Sequence, residues 1–222
     1  MNALNYTPHK WQMGHWPKGV PYGTAPELTP EDIKTLRSYL LRRIKRTTGR
    51  RDLLIFDLFL NTGCLIGELY ALSTEDLAYY NDKQIVTVRS HIIFKNRKNK
   101  PYPDKIIPVS SPLKESIESF TDFSKTWVCW SQMGDQEQRM EKNCLSHLIE
   151  RWGTVCGMKI RAHSFRKTFL KQLWYNGIDI FTLISLSGHK SMQGLSRYLF
   201  PNEIRVNQAI TNYGNVYNSL KC

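Results

Sequence analysis

The chain has no CxxC pair, few acidic residues and no long unbroken apolar run, and each shortage removes a class of protein. Its five cysteines, Cys64, Cys129, Cys144, Cys156 and Cys222, are scattered and odd in number. That argues against a disulfide framework or a cysteine-based zinc site and suits a reducing compartment. The most apolar stretch, "LLIFDLFLNTGCLIGELYAL", contains Asp57 and Glu68. It is too polar for a membrane span and reads as a buried helix and its successor. The basic start and apolar run of a secretory leader are missing too, so no leader and no membrane partner are expected. Acids are outnumbered: 19 Asp and Glu face 31 Lys and Arg, a formal net charge of +12 over 222 residues. A balance of this sign favours a polyanion, and it says nothing of fold.

What is present suffices for a folded domain. Hydrophobic residues make up 41% and aromatics 12%, enough to pack a core. Residues 1–26 hold several prolines and no apolar period, and read as an extended arm. The first helix starts at Thr29-Pro30, with Glu31 and Asp32 in its first turn and Ile33, Leu36, Leu40 and Ile44 on its buried face. From Lys34 to Arg51 every charged side chain is basic, a one-sidedness that calls for an anionic partner. "RDLLIFDLFLNTG" reads as a helix ending at Gly63, and "STEDL" (73–77) as a helix start. "KQIVTVRSHIIFK" and "DKIIPV" read as two strands around the basic turn "NRKNKPYP". Helices are expected at "SPLKESIESF", at "NCLSHLIERWGTVCG" up to Gly157, over 163–175, over 178–186 and near 191–199. The expectation is a mostly helical α+β domain with one small antiparallel sheet, over residues 27–200, followed by a tail over 201–222. Apolar residues spaced from Ile204 to Leu220 make that tail loosely helical and long enough to reach a second subunit.

Chemistry concentrates in the last third. "HSFR" sets His163 and Arg166 one turn apart on a helix face. "SLSGHKS" puts His189 after Gly188, read as a helix start, where phosphate is favoured. Tyr198 follows, just before "LFP". Singly, each has a plain explanation: surface histidine, ordinary turn, packing tyrosine. Together, "RAHSFRKTFLKQLWYNGIDIFTLISLSGHKSMQGLSRYLF" resembles the C-terminal signature of the tyrosine recombinases, the phage-integrase family, H-x-L-R-H-T-F…G-I/V-D…L-L-G-H…Y. "NTGCLIGELYALSTEDL" resembles the family's earlier T-G-L-R-I-S-E-L…D segment, and the hairpin "IIFKNRKNKPYPDKIIPV" stands where the family carries a lysine.

The resemblance implies attack of a tyrosine hydroxyl on a DNA phosphodiester, giving a 3′-phosphotyrosine and a 5′-hydroxyl, without metal or other cofactor. It gives Tyr198 the role of nucleophile. Arg166 would fork onto the non-bridging oxygens, His163 would move the tyrosine proton, and His189 would donate to the phosphate. A hairpin lysine would protonate the leaving oxygen: Lys95 by its Lys-Asn context, Lys100 by counting back from Pro108, with Lys98 also in range. Arg97, Lys98, Lys100, Arg42, Arg43, Lys45, Arg46 and Lys167 are expected to hold the DNA backbone, making binding salt-sensitive. The resemblance further implies double-stranded DNA as partner, a synaptic tetramer joined through the tail, and a cytoplasmic, nucleoid-associated setting in a prokaryote, plasmid or phage.

Two departures stand out. Leu65 occupies the position of the family's first catalytic arginine, although the acid at Glu68 is kept. Leucine neutralises no phosphate charge, and such a loss costs about 10²–10³ in rate. Three readings follow: another basic residue substitutes, the protein cleaves weakly, or it binds and organises DNA without cutting. The arm is also too short for the family's N-terminal clamp domain, which implies a minimal, catalytic-domain-only member with Trp11, Trp16 and Lys18 assisting the grip. An RNA-binding reading lacks an aromatic strand motif or a GXXG loop.

Overall fold

The computed structural model describes residues 25–83, 85–95, 104–133, 136–189, 191–196 and 199, and further on residues 207 and 210–212. Helix α1 (Pro30–Leu41) opens on a reciprocal cap: Asp32 N–H donates to Thr29 Oγ1, and Thr29 N–H donates to Asp32 Oδ2. Leu36 and Leu40 are fully buried. The sequence predicts this helix to run on to Arg46, but it stops at Leu41 and a series of tight turns occupies 42–48. Gly49 explains the stop. A Cβ at Gly49 would lie 2.0 Å from the carbonyl oxygen of Arg43, so the chain folds back on itself more tightly than a continued helix permits. Ile44 still packs on the core from this turn.

Helix α2 (Gly49–Thr62) is the centre of the molecule; Leu53 through Phe59 are all buried. It carries Asp57, whose carboxylate accepts from Ser116 and Arg37. The helix ends where its sequence says, at Gly63, left-handed with φ 55°. Helix α3 (Ile66–Ala71) follows after one corner. "STEDL" forms the predicted Ser73–Asp76 cap, but the cap closes a turn, not a helix, and the chain enters strand β1 (Ala78–Tyr80). Local capping chemistry serves either outcome, and the pairing of β1 with β2 (Val86–Val88) decides it.

The single expected strand "KQIVTVRSHIIFK" is broken at Arg89-Ser90 into β2 and β3 (His91–Phe94). Strand β3 pairs antiparallel with β4 (Lys105–Pro108), Phe94 opposite Lys105. Helix α4 (Ser111–Phe120) packs against α2. A third hairpin, β5 (Trp130–Met133) with β6 (Gln136–Arg139), was not expected. The described residues therefore hold three separate two-stranded antiparallel ladders rather than one sheet. Helix α5 (Lys142–Val155) buries Leu145, Leu148, Ile149 and Trp152 as its spacing predicts. Helices α6 (Ala162–Tyr175), α7 (Ile180–Ser187) and α8 (Met192–Ser196) follow.

One large core joins α1 to α6, and a smaller one gathers Leu170, Leu183 and Leu195, with Leu199 packed on it. Phe165 joins α6 to α2: it meets Phe56 edge-on at 5.7 Å and stacks on Phe59 at 5.6 Å. The segment before α1 is pinned to α6 as well, Leu28 N–H donating to Thr168 Oγ1 and Lys171 pairing with Glu27. Among the described residues, no helix is long and apolar enough to cross a membrane.

Candidate active site

Two glycine-capped helix ends face each other across α6. Gly63 closes α2 and Gly188 closes α7, both in the left-handed region. Each cap leaves carbonyls at a helix C-terminus, the negative end of the helix dipole. Arg166 takes both: Nη1 donates to the Gly63 carbonyl at 2.9 Å, and Nη2 to the Ser187 carbonyl at 2.6 Å. Only 4% of Arg166 is exposed. A guanidinium that buried needs such partners, and the fixed fork of its five donors suits two carbonyls from different elements. The stack of Phe165 on α2 holds the backbone beneath it. Gly63 is required twice over: its φ is positive, and a Cβ would lie 2.4 Å from the Phe169 ring.

His189 lies on the far side of the same arginine. Its Nδ1 is 2.7 Å from Ser187 Oγ and 3.5 Å from Arg166 Nη2. Arginine only donates, so a hydrogen bond from Arg166 requires the lone pair on Nδ1 and the proton on Nε2. Half-burial, then the charges of Arg166 and Lys105, push the His189 pKa down to about 4, so the ring is neutral at physiological pH. The sequence places His189 at a helix start; it stands instead just past the end of α7, because the left-handed Gly188 terminates that helix. Its backbone neighbours are helix-end carbonyls, which attract the arginine rather than a phosphate. His163 is the second residue of α6, half-buried, its pKa lowered by burial and by Arg166 and Arg161.

Leu65 precedes α3, and 37% of it is exposed. Its backbone N–H donates to Glu68 Oε2 at 2.8 Å. The same carboxylate oxygen accepts from Lys105 Nζ at 3.3 Å, and Lys105 also donates to the Thr62 carbonyl at 3.1 Å. Lys105 is 6% exposed, and its ammonium lies 4.9 Å from the centroid of the Phe94 ring. The sequence pattern points to the lysines of the turn and not to Lys105 on the strand. A signal was there: in "KIIP" every second residue faces inward, and Lys105 shares the buried face with Ile107. Cys64, fully buried beside it, is a neutral thiol whose pKa burial raises to about 12.

The remaining expected residues divide. Lys95 is exposed, one residue beyond the last ladder pair of β3. Arg42, Lys45 and Arg46 are exposed in the turns after α1, and Arg43 is half-buried against the Tyr39 ring. Lys167 is half-buried on α6, its pKa lowered by burial and Lys171. Tyr198, Arg97, Lys98, Lys100, Trp11, Trp16, Lys18 and most of the tail lie outside the described residues.

This arrangement of helices, hairpins and buried cations defines a tyrosine-recombinase catalytic domain. The chain matches the phage integrase family over residues 26–204 and belongs to it. Among its relatives is the tyrosine recombinase XerA of Thermococcus onnurineus, 23% identical over 185 residues, covering 82% of this chain and 60% of that protein. XerA of Pyrococcus furiosus is 27% identical over 183 residues, covering 81% and 58%. The chain thus spans less than two thirds of the length of these curated relatives. In fold it is similar to a crystal structure of XerA recombinase, with a TM-score of 0.62 at 21% identity, covering 95% of this chain and 68% of that one. It is also similar to XerH site-specific recombinase bound to difH substrate in a pre-cleavage complex, with a TM-score of 0.60 at 16% identity, covering 84% and 54%.

Proposed function

We propose that the protein carries out site-specific DNA recombination, in the form of integration, excision or inversion, by cleaving one strand through Tyr198. The tyrosine oxygen bonds to phosphorus as the 5′ oxygen leaves, the tyrosine proton passes by way of His163, and a hairpin lysine, Lys95 before Lys98 or Lys100, protonates the leaving oxygen. Arg166 and His189 stabilise the pentavalent phosphorus as donors already held in place. The observation that carries this reading is the meeting of Arg166 and His189 at the facing ends of α2 and α7, with His163 one turn before Arg166 on α6 and Tyr198 following in the chain. Exposed Arg42, Lys45 and Arg46, with Lys167 and the hairpin cations, hold backbone phosphates. The arm 1–26 adds grip, and the tail 201–222 docks on a neighbouring copy in a synaptic tetramer, on DNA in the cytoplasm.

One observation favours a second reading. Leu65 puts an apolar, partly exposed side chain where the family has an arginine, which suits a DNA-binding accessory protein that does not cut. Nicked suicide duplexes built from DNA flanking the coding sequence separate the two. Cleavage predicts a covalent protein–DNA band on a denaturing gel, lost in Tyr198→Phe. Tight DNA binding without any band supports the accessory reading, and a band gained in Leu65→Arg then shows that this position silences the site.

A further inference from the structure

Lys105 is a buried cation without a task in the cleavage proposed above. It lies on the inward face of β4, away from the hairpin turn and its lysines. Two neighbouring carbonyls at the end of α2 each hold a cation: Thr62 accepts from Lys105 and Gly63 from Arg166. Glu68 Oε2 binds Lys105 and the backbone N–H of Leu65 through one atom. Lys105 is therefore tied to the corner that should carry an arginine. It also lies close enough to Arg166 and His189 for its charge to act on both.

We propose that Lys105, from beneath the Thr62–Glu68 corner, cancels the Glu68 carboxylate and so leaves the charge of Arg166 to the phosphate at a cleavage site where Leu65 brings none. This inference rests on the reading of the protein as a DNA-cleaving enzyme. Lys105 is a positioning residue: it fixes the corner by its two hydrogen bonds and offsets Glu68, so that the charge of Arg166 acts on the phosphate. Without it, the unpaired Glu68 carboxylate cancels part of the charge of Arg166 beside a substrate that is itself anionic, and burial disfavours the charged form of both histidines. The low local dielectric makes that imbalance count at distances where water would screen it. Burial, the largest influence, lowers the Lys105 pKa, and the contact with the Glu68 carboxylate opposes it in favour of the charged form.

The full-length protein and its variants are tested on nicked suicide duplexes, first with an ordinary scissile phosphate, then with an uncharged methylphosphonate at the position where the wild type forms its adduct. Lys105→Met is expected to lose about tenfold or more in cleavage rate while still binding DNA. Lys105→Arg keeps most of the rate, and Leu65→Arg added to Lys105→Met restores it. The Lys105→Met deficit shrinks on the methylphosphonate, because less charge then needs offsetting; a purely structural defect is blind to that change. If the methionine variant loses its cooperative melt, Lys105→Gln carries the test, since it keeps a donor for Thr62 and removes only the charge. A Lys105→Met rate within about twofold of wild type overturns the inference alone. So does an equal deficit on both substrates. Absence of any wild-type adduct overturns the inference and the cleavage reading together.

Discussion

Arg166 and Arg46 are the same residue type in one basic chain, and the protein uses them in opposite ways. Arg166 is buried, its guanidinium held by carbonyls of two helix ends. Arg46 stands exposed in the turns after α1, together with Arg42 and Lys45. A net charge of +12 counts all of them equally. Burial separates them: a desolvated charge depends on every partner it has, whereas a solvated one depends on almost none. Mutations in the buried group should therefore change stability and chemistry together, and mutations in the exposed group should change only affinity.

Arg166 is where the contrast is sharpest. Arg166→Met leaves the Gly63 and Ser187 carbonyls without their donor and is expected to cost about 2–4 kcal/mol in denaturant unfolding. Cleavage should fall about 10²–10³-fold beyond any loss from unfolding, read as adduct formation below the melting transition. Arg166→Lys should rescue stability in part but not activity, because one ammonium does not span two carbonyls and a phosphate. Unchanged unfolding in Arg166→Met would break the distinction between the two groups of cations.

Gly63 tests the same cluster without touching a charge. Gly63→Ala forces a Cβ into the Phe169 ring at a backbone angle of φ 55°. A loss of about 1–3 kcal/mol is expected, and cleavage should fall as well, since the displaced carbonyl is the one that holds Arg166. Phe169→Ala in the same chain should recover part of the loss by removing the clash while leaving the strained angle. Full recovery would mean that the angle costs nothing.

Much of this was legible in the sequence, and the gaps have physical causes. Thr29, Gly63 and Gly157 mark helix ends by local chemistry, and the spacing of His163 and Arg166 alone places them on one face. The misreadings occur where distant contacts decide. Arg42 to Arg46 look like a continued helix until Gly49 is found against the Arg43 carbonyl. "STEDL" caps a turn because β1 finds a partner. The β5–β6 hairpin was missed although Gly134-Asp135 is a turn signal, because its flanks "WSQM" and "QEQR" lack the alternation that marks strands. Lys105 was missed for a different reason. Composition assigns a lysine to the surface, and only its register opposite Phe94 turns it inward.

His189 gives a smaller, pH-dependent effect. Its pKa in the folded protein, about 4, is below the ordinary 6.5, so the unfolded chain takes up a proton first as the solution becomes acidic. The stability that comes from holding this ring neutral is complete above pH 6.5 and is lost as pH falls towards 4. His163 shifts in the same direction and adds to it. Because His189 is only half-buried, the effect is screened, and roughly a few degrees of melting temperature are expected. Melting curves taken between neutral and acid pH should fall less steeply for His189→Gln than for wild type. Parallel curves would show that burial and the neighbouring charges do not hold this ring neutral.

The smallest effect on stability should come from the exposed cations, and it sharpens the comparison by being absent. Replacing Arg42, Lys45 and Arg46 together by glutamine removes charges that stand in solvent. Unfolding free energy should change by less than about 0.5 kcal/mol per site. DNA affinity should drop, and the slope of its logarithm against the logarithm of salt should become shallower by about one for each phosphate contact removed. Adduct formation at saturating protein should keep its wild-type rate, since the proposed task of these side chains is to hold the DNA backbone and not to act at the reacting phosphorus. An unchanged salt slope would take the DNA from this face of the molecule and leave its grip to the hairpin, α6 and the arm.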